Sequence, residues 1–200
     1  MISIIDYGLG NILAFRNVYE RLNIQVAVAK SADDLTRSTK LILPGVGAFD
    51  HAMERLEASG MRPAIEERVL RHGMPVLGIC VGMQMLAAGS EEGKHPGLGW
   101  IGGAVKRFRG AALALPQMGW NDVAPVRPGG LFAGMEKDSR FYFLHSYYFE
   151  CRDQQDSLAI ADYGGGYSCA VARGSIYGVQ FHPEKSHHWG VQLLKNFAEM

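Results

Sequence analysis

The sequence has no excess of charge and no long apolar run, and each absence excludes a class of protein. Its 20 Lys and Arg residues balance 20 Asp and Glu residues, whereas a nucleic-acid-binding domain carries a basic excess. The longest apolar runs, around residues 41–43 and 75–79, are far shorter than the roughly 20 residues that span a bilayer. Residues 1–6 have no basic segment and soon reach an acid, so we expect no signal peptide.

Cysteine is also scarce. Cys80, Cys151 and Cys169 cannot all pair within the chain, and they lack the spacing of a metal site. We therefore expect reduced thiols and a cytoplasmic protein. The 200 residues are 48% hydrophobic and 20% charged, which is typical of one globular domain over residues 1–200. Glycine is abundant instead, with 25 residues that mostly follow apolar runs, where turns are expected.

Strand and helix patterns alternate through the first half of the chain. Short apolar runs predict strands at residues 2–7, 25–29, 40–43 and 75–79. Helical spacing predicts a helix that begins after an Asn11 N-cap, a second across 48–72 with a break near Gly60 and Pro63, and a third across 82–88. Such alternation predicts βαβ units and a parallel sheet.

The second half is richer in strands. Predicted strands are residues 99–108, 140–149, 158–162, 167–173 and 175–180. A last helix is predicted at 190–199, with Val191, Leu194 and Phe197 on its apolar face. The fold class is therefore α/β, with a central, mostly parallel sheet flanked by helices and an antiparallel extension.

Cys80 lies in the segment Gly78-Ile79-Cys80-Val81-Gly82, which has the form of a nucleophile elbow between a strand and a helix. Glycines two positions away on each side relieve the crowding of such a turn, and a helix N-terminus beneath the sulfur favours the thiolate. A buried cysteine between closely packed glycines is an equal alternative on this segment alone.

A second motif, Phe181-His182-Pro183-Glu184, changes that balance. Residues two apart on extended backbone point to the same side, so Glu184 can hold one ring nitrogen of His182 while the other faces a thiol. Cysteine, histidine and an acid in this relation form an activated nucleophile. A surface His–Glu pair is the alternative when the motif is taken without Cys80.

Metal catalysis is the competing hypothesis for these residues, because His187 and His188 follow His182 closely. The zinc deaminase signature needs a Cys-x-x-Cys pair, and position 83, three after Cys80, is methionine. The His-Glu-x-x-His pattern is absent as well. We therefore expect no metal site and interpret His187 and His188 as exposed residues before the last helix.

Two glycine-rich turns complete the motifs. The turn at residues 8–10 lacks the third glycine of a dinucleotide-binding fingerprint, because that position is Leu13. The turn at residues 43–47 lacks the Lys-Ser/Thr of a phosphate-binding loop. On its pattern it is either an ordinary strand-ending turn or a donor of backbone N–H groups to an oxyanion.

Together these motifs resemble the class I (triad) glutamine amidotransferases. Within that class, the resemblance is to the branch formed by the glutaminase subunits of imidazole glycerol phosphate synthase. It runs through the whole chain, in residues 5–6, 43–47, 78–84, 118–121, 145–147, 181–186 and 194–197. The implied fold is a single flavodoxin-like domain.

The resemblance also implies roles for individual residues. Cys80 would attack the amide carbon of glutamine, His182 would carry the proton and Glu184 would orient His182. Backbone N–H groups of Val81 and of the turn Gly45, Val46 and Gly47 would hold the oxyanion. The glutamine-binding positions would be Gln84, Ser146 and Tyr147. No cofactor is implied, because thioester chemistry needs only a nucleophile, a base and oxyanion donors.

The implied partner is a (β/α)₈-barrel cyclase subunit, joined to this chain as a heterodimer. That enzyme makes imidazole glycerol phosphate and the purine precursor AICAR in L-histidine biosynthesis. Matching interface positions are Asn11, Trp120, Asn121 and Lys185. The glycines beside Val46 would let its peptide rotate, so we expect little activity without the partner. A non-catalytic module on the same fold is a further hypothesis, opposed by the complete set of motifs.

Two positions depart from the family pattern. Val81 replaces a residue that is commonly leucine, and Gln117 replaces one that is usually histidine. Because Gln117 precedes the predicted interface positions on the chain, we expect it to bear on partner identity. The alternative function is therefore that of a paralogous amidotransferase whose partner makes amidino-sugars for surface polysaccharide.

Overall fold

The computed structural model describes residues 1–110, 113–135 and 139–200. Within those residues the strands are β1 (Ile2–Ile5), β2 (Val26–Ala29), β3 (Lys40–Gly45), β4 (Val76–Cys80), β5 (Gly103–Arg107), β6 (Gln117–Asp122), β7 (Ala124–Pro125), β8 (Arg140–His145), β9 (Tyr147–Cys151), β10 (Ser157–Asp162), β11 (Gly166–Arg173) and β12 (Ile176–Val179). The α-helices are α1 (Ile12–Arg21), α2 (Phe49–Ala58), α3 (Arg62–Glu66), α4 (Val81–Gln84) and α5 (His187–Glu199), and a π-helical segment, Glu67–Arg71, continues α3.

Five parallel strands form the centre of the main sheet, in the order β2-β1-β3-β4-β12. All five residues of β4 are buried, as expected for a strand covered on both faces. In open sheets of this kind, ligands bind beyond the carboxyl ends of the strands. The ends of β1, β3, β4 and β12 therefore mark the edge at which a site is expected.

An antiparallel extension continues the sheet beyond β12. Strands β11, β10 and β7 follow in that order, and β9 pairs with both β11 and β5. Strands β6 and β8 form a separate two-stranded sheet. The predicted fold class, with a parallel centre and an antiparallel extension, is confirmed.

Several predicted helix boundaries were wrong. The helix predicted across 82–88 is only the single turn α4, because the backbone after Gln84 turns to hydrogen-bond with residues 98–103. The break near Gly60 and Pro63 is confirmed: Gly60 has a φ of +69°, and Pro63 lies in the first turn of α3, directly after the break. Asn11 occupies the N-cap position of α1, yet its side chain makes no capping hydrogen bond.

The last helix begins earlier than predicted, at His187, so His187 and His188 are its first residues and not part of a preceding loop. Both are exposed, as expected. Leu194 and Phe197 face the core, but Val191 is exposed, so its assignment to the apolar face was wrong. Helix α5 instead buries Leu193 beside Leu194.

Strand predictions in the second half were less accurate. The strand predicted at 140–149 is divided at Ser146 into β8 and β9, which belong to different sheets. The strand predicted at 99–108 is confined to β5, and β6 and β7 were not predicted. Among the described residues, no helix is long and apolar enough to cross a membrane.

Candidate active site

Cys80 lies at the sharp turn between β4 and α4. Its φ of +56° and ψ of −114° are unusual for a residue with a side chain, and such strain is typical of an exposed nucleophile on an elbow. Because α4 is one turn long, it offers less of a helix dipole than the predicted seven-residue helix would. The side chain of Cys80 opens into a cavity although the residue is 4% exposed.

Glycines around Cys80 allow the backbone of this elbow to pack closely. A Cβ atom on Gly82 would lie 2.0 Å from the carbonyl oxygen of Leu43, and one on Gly78 would lie 2.6 Å from that of Gly82. A Cβ atom on Gly45 would lie 2.3 Å from the Gly82 nitrogen. A side chain on Gly45 or Gly82 would push β3 away from the elbow, and one on Gly78 would push α4 away from β4, so the glycines fix these distances.

His182 and Glu184 lie just beyond the carboxyl end of β12, the neighbour of β4. Nδ1 of His182 is 2.9 Å from Oε1 of Glu184, and the two side chains are 6% and 3% exposed. Cys80 lines the same cavity as His182 and lies close enough to raise its pKa. The structure thus brings Cys80, His182 and Glu184 together in the order that proton transfer from sulfur requires.

The charge state of His182 follows from these contacts. Burial alone would lower the pKa of His182, but hydrogen bonds to Cys80 and Glu184, together with their charges, raise it to about 10. The backbone is also fixed, because the His182 N–H donates to the Tyr142 carbonyl and the Ser186 hydroxyl donates to the His182 carbonyl. The imidazole is therefore held in place as an imidazolium beside the nucleophile.

Gln180 is a site residue that the sequence analysis missed. It is fully buried, and its Nε2 donates to Sγ of Cys80 at 3.9 Å while its Oε1 accepts from Nε2 of Gln84 at 3.1 Å. Gln84 also donates to the Tyr147 carbonyl at 3.2 Å. The i, i+2 relation that singled out Glu184 also places Gln180 on the same side as His182, so the signal was present.

A cavity of about 340 Å³ opens above Cys80, large enough for one amino acid. Most of the predicted oxyanion and substrate-binding residues line this cavity. They are Val46, Gly47, Val81, Gln84, Ser146 and Tyr147. Gly45 is buried at the end of β3, in register with Cys80. Val46 and Gly47 are exposed beyond it, and Gly47 has a φ of +84°.

Glu92 is the second site residue that the sequence analysis missed. It is the one carboxylate in the described lining of the cavity, and it accepts a hydrogen bond from the Phe49 N–H at 2.9 Å. Its loop is held by Asp50, whose carboxylate accepts from the backbone N–H groups of Lys94 and His95. No local pattern marks Glu92, because tertiary contacts alone bring its loop to Cys80.

Gln117 was expected to influence partner identity, which requires a position on the surface that faces the partner, but it does not lie on the surface. It is buried, and the Tyr167 hydroxyl lies 2.9 Å from its Oε1 and 3.2 Å from Nε2 of His145. Nδ1 of His145 is 2.8 Å from the Tyr147 carbonyl. Burial lowers the pKa of His145 to about 4 despite that hydrogen bond, with a further contribution from the charge on His182. Gln117 thus belongs to a neutral polar cluster behind the cavity.

The predicted interface residues do not all lie together. Trp120 is 41% exposed and stacks on His187 at 5.2 Å, and Lys185 is exposed with its Nζ 5.8 Å from the Tyr142 ring. Asn121 points away from Trp120 on β6, and its Nδ2 donates to the Asp162 carbonyl.

Asn11 is exposed in the loop after β1. That loop approaches the turn after β3 closely, since a Cβ atom on Gly10 would lie 2.7 Å from Cβ of Pro44. Asn11 therefore lies near the Val46 turn rather than on the β6–β8 sheet.

Cys151 and Cys169 are buried within strands and lie away from this cavity. Burial raises the pKa of both thiols, which is the opposite of what a nucleophile requires. Within the described part of the chain, no three His, Cys, Asp or Glu side chains cluster as a metal site would need.

The elbow and the His–Glu pair, at the carboxyl edge of the parallel sheet, form the arrangement of an enzyme with an activated cysteine nucleophile. The model of the class-I glutamine amidotransferase family matches residues 3–200, and the chain belongs to that family. Solved structures agree on the fold. A glutamine amidotransferase has a TM-score of 0.77 at 18% identity, covering 100% of this chain and 99% of its own. PurLQS from Thermotoga maritima has a TM-score of 0.75 at 17% identity, covering 99% and 97%.

Within the family, curated relatives are more specific. The chain is 61% identical to the imidazole glycerol phosphate synthase subunit HisH of Bdellovibrio bacteriovorus, over 100% of both chains. It is 52% identical to the subunit of the same name from Leptospira interrogans, again over 100% of both. The branch to which the sequence analysis found a resemblance is confirmed.

Proposed function

We propose that this chain, as one domain over residues 1–200, is the glutaminase subunit of an imidazole glycerol phosphate synthase in histidine biosynthesis. It hydrolyses glutamine to glutamate and ammonia and passes the ammonia to a cyclase partner. The observation that carries the proposal is the contact between Cys80, His182 and Glu184 at the floor of a cavity of amino-acid size. The names of its relatives supply the pathway.

The reaction begins with His182 as an imidazolium that holds the thiol proton of Cys80 and is stabilised by Glu184. The sulfur attacks the side-chain amide carbon of glutamine, and the oxyanion that forms accepts hydrogen bonds from the Val81 N–H and from the turn of Gly45, Val46 and Gly47. Collapse of this intermediate breaks the C–N bond, and His182 returns the proton to the departing ammonia.

The second half of the reaction releases glutamate. A water molecule attacks the glutamyl thioester with His182 as its base, and the Cys80 thiol is regenerated. No cofactor takes part in either step. The free cysteines fit a reducing compartment, and we place the enzyme in the cytoplasm.

Glutamine binds through groups that line the cavity. Gln84, Ser146 and Tyr147 offer polar groups to the substrate, and Glu92 places a carboxylate where the α-ammonium group needs a partner. His145, which also lines the cavity, has a pKa lowered to about 4 by burial and so adds no positive charge beside the ammonium group. Removal of the Glu92 charge should therefore raise KM for glutamine more than it lowers kcat.

The cyclase partner, a (β/α)₈-barrel subunit, docks on the face of the β6–β8 sheet next to the cavity. Met118 and Trp120 are 64% and 41% exposed on that face, and Leu144 connects it to the cavity wall. Exposed apolar groups that adjoin a site are typical of a docking surface. Lys185 completes this face and pairs with a carboxylate of the partner, and Asn11 and Asn121 contribute from its margins.

The burial of Gln117 removes the observation that had favoured an amidino-sugar partner. The deciding experiment adds glutamine and either purified cyclase subunit or an amidino-sugar-forming partner to this chain, then measures glutamate release and the aminated acceptor. We expect imidazole glycerol phosphate with the cyclase. Cys80→Ala should abolish glutamate release, whereas Cys169→Ala should retain it. An active Cys80→Ala variant would overturn the mechanism.

A further inference from the structure

The turn after β3 spans two fixed points. Pro44 and Gly45 are buried, the next three residues are exposed, and Phe49 is buried again. The Phe49 N–H is held by Glu92, as described above. Residues 46–48 therefore form a short exposed segment whose position depends on how its two ends are anchored.

The other anchor is a tyrosine from the loop that follows β1. Pairing between β1 and β3 ends at Ile42, and two residues later the Pro44 carbonyl accepts a hydrogen bond from the Tyr7 hydroxyl at 2.6 Å. Tyr7 is 2% exposed, so water does not compete for this bond. The Tyr7 hydroxyl also lies 3.6 Å from Sδ of Met85, just after the elbow helix.

The surroundings of Tyr7 keep its hydroxyl protonated. Burial raises the pKa of Tyr7, and the charge of the nearby Cys80 raises it further. The group is thus a hydrogen-bond donor throughout the working pH range. Tyr7 follows β1 and His182 follows β12, and these strands lie on opposite sides of β4 in the sheet. None of the proton transfers of the proposed reaction uses it.

We propose that Tyr7 is a positioning residue for oxyanion stabilisation, an inference that rests on the proposed glutaminase function. Its hydroxyl fixes the Pro44 carbonyl and so the peptides of Gly45 and Val46, which follow directly. Gly45 packs against the Gly82 backbone, so the hydrogen bond from Tyr7 sets the distance between Cys80 and the N–H groups of the turn after β3. Oxyanion donors act only when they lie within hydrogen-bond distance of the developing charge.

Tyr7→Phe removes the anchor and keeps the ring. Tyr19→Phe is the matched control, because Tyr19 is also fully buried and its hydroxyl donates to a backbone carbonyl, that of Leu194, at 3.2 Å. Both variants are assayed in complex with the cyclase subunit, at a temperature below both melting transitions. The measurements are kcat and KM for glutamine and the rate of Cys80 alkylation by iodoacetamide.

We expect Tyr7→Phe to lower kcat roughly 10- to 100-fold, less than the ~10²–10³ that loss of an oxyanion donor costs. KM should stay within about twofold. Alkylation should also stay within about twofold, because displacement of iodide needs a reactive sulfur but develops no oxyanion. Tyr19→Phe should leave all three quantities unchanged.

Two results would overturn the inference. One is an unchanged kcat in Tyr7→Phe. The other is a parallel fall of kcat and alkylation, which would mean that Tyr7 acts on the sulfur instead of the turn. Cys80→Ala in the same assay separates this inference from the function. An inactive Cys80→Ala with a fully active Tyr7→Phe leaves the glutaminase intact and removes only the role of Tyr7.

Discussion

Replacement of Glu184 by glutamine tests whether this carboxylate orients and stabilises His182. The substitution keeps the shape of the side chain and removes its charge. Only Oε1 of Glu184 has a partner, since Oε2 is buried without a hydrogen bond among the described residues. The new amide can therefore keep its oxygen on Nδ1 of His182 only by burying an unpartnered NH₂ group at the Oε2 position.

The cost can be worked from these contacts. Exchange of a charge-assisted hydrogen bond for a neutral one loses about 1–2 kcal/mol, and an unsatisfied buried donor costs about 1–3 kcal/mol. If the amide turns around, its NH₂ group faces Nδ1 of His182, which must then be unprotonated, so the imidazolium form is lost. A loss of about 2–5 kcal/mol in transition-state stabilisation corresponds to a roughly 30- to 5,000-fold lower kcat.

The assay is glutamate release by the complex with the cyclase subunit at saturating glutamine. Glu54→Gln is the matched control, because Glu54 makes the same 2.9 Å contact with His95 on the surface, where both side chains are about half exposed. It should leave kcat unchanged. His182→Ala should cost more than Glu184→Gln, since it removes the base. An equal or larger loss for Glu184→Gln would identify Glu184 as the proton acceptor and refute this reasoning.

Three further predictions concern packing, pH and docking. Gly82→Ala should lower the free energy of unfolding by at least about 1–3 kcal/mol, measured by denaturant titration, whereas Gly89→Ala, where a Cβ atom meets open space, should change it little. The pKa of His145 is lowered to about 4 in the folded protein, so between pH 6.5 and 4 the unfolded chain binds one proton more than the folded chain. The free energy of unfolding should therefore fall on acidification, by about 2 kcal/mol at pH 5. His145→Gln should reduce this fall, whereas replacement of the exposed His188 by glutamine should not. Lys185→Ala should weaken cyclase binding in calorimetry, and unchanged affinity and turnover would remove Lys185 from the interface.

Strands of the parallel sheet were predictable because each is a short apolar run between turns. Strand β6 was not, because its inward residues, Gln117 and Asn121, are polar while its exposed residues include the apolar Met118 and Trp120. This inverted alternation suits a docking strand and gives no core signal. The apolar residues after Gln84 predicted a longer helix. They are buried, but by contacts with the loop at residues 97–103 and not by the packing of a helix.

The triad was predictable because its residues lie in two local motifs whose spacing fixes their orientation. Glu92 and Tyr7 were not, since each acts through a contact with the turn after β3 that only the assembled sheet creates. Gln117 shows the converse error. Its place on the chain beside Trp120 suggested the surface, but strand alternation turns it inward to Tyr167.

The position of β12 between β4 and β11 has a consequence for how the protein is made. On the ribosome, β4 emerges roughly a hundred residues before β12, an interval of about 5–20 s at ~5–20 residues per second. Through that interval one edge of an apolar strand has no partner, and such edges are prone to aggregate. His182 arrives with the strand that closes the edge, so a nascent chain cannot hydrolyse glutamine before its sheet is complete.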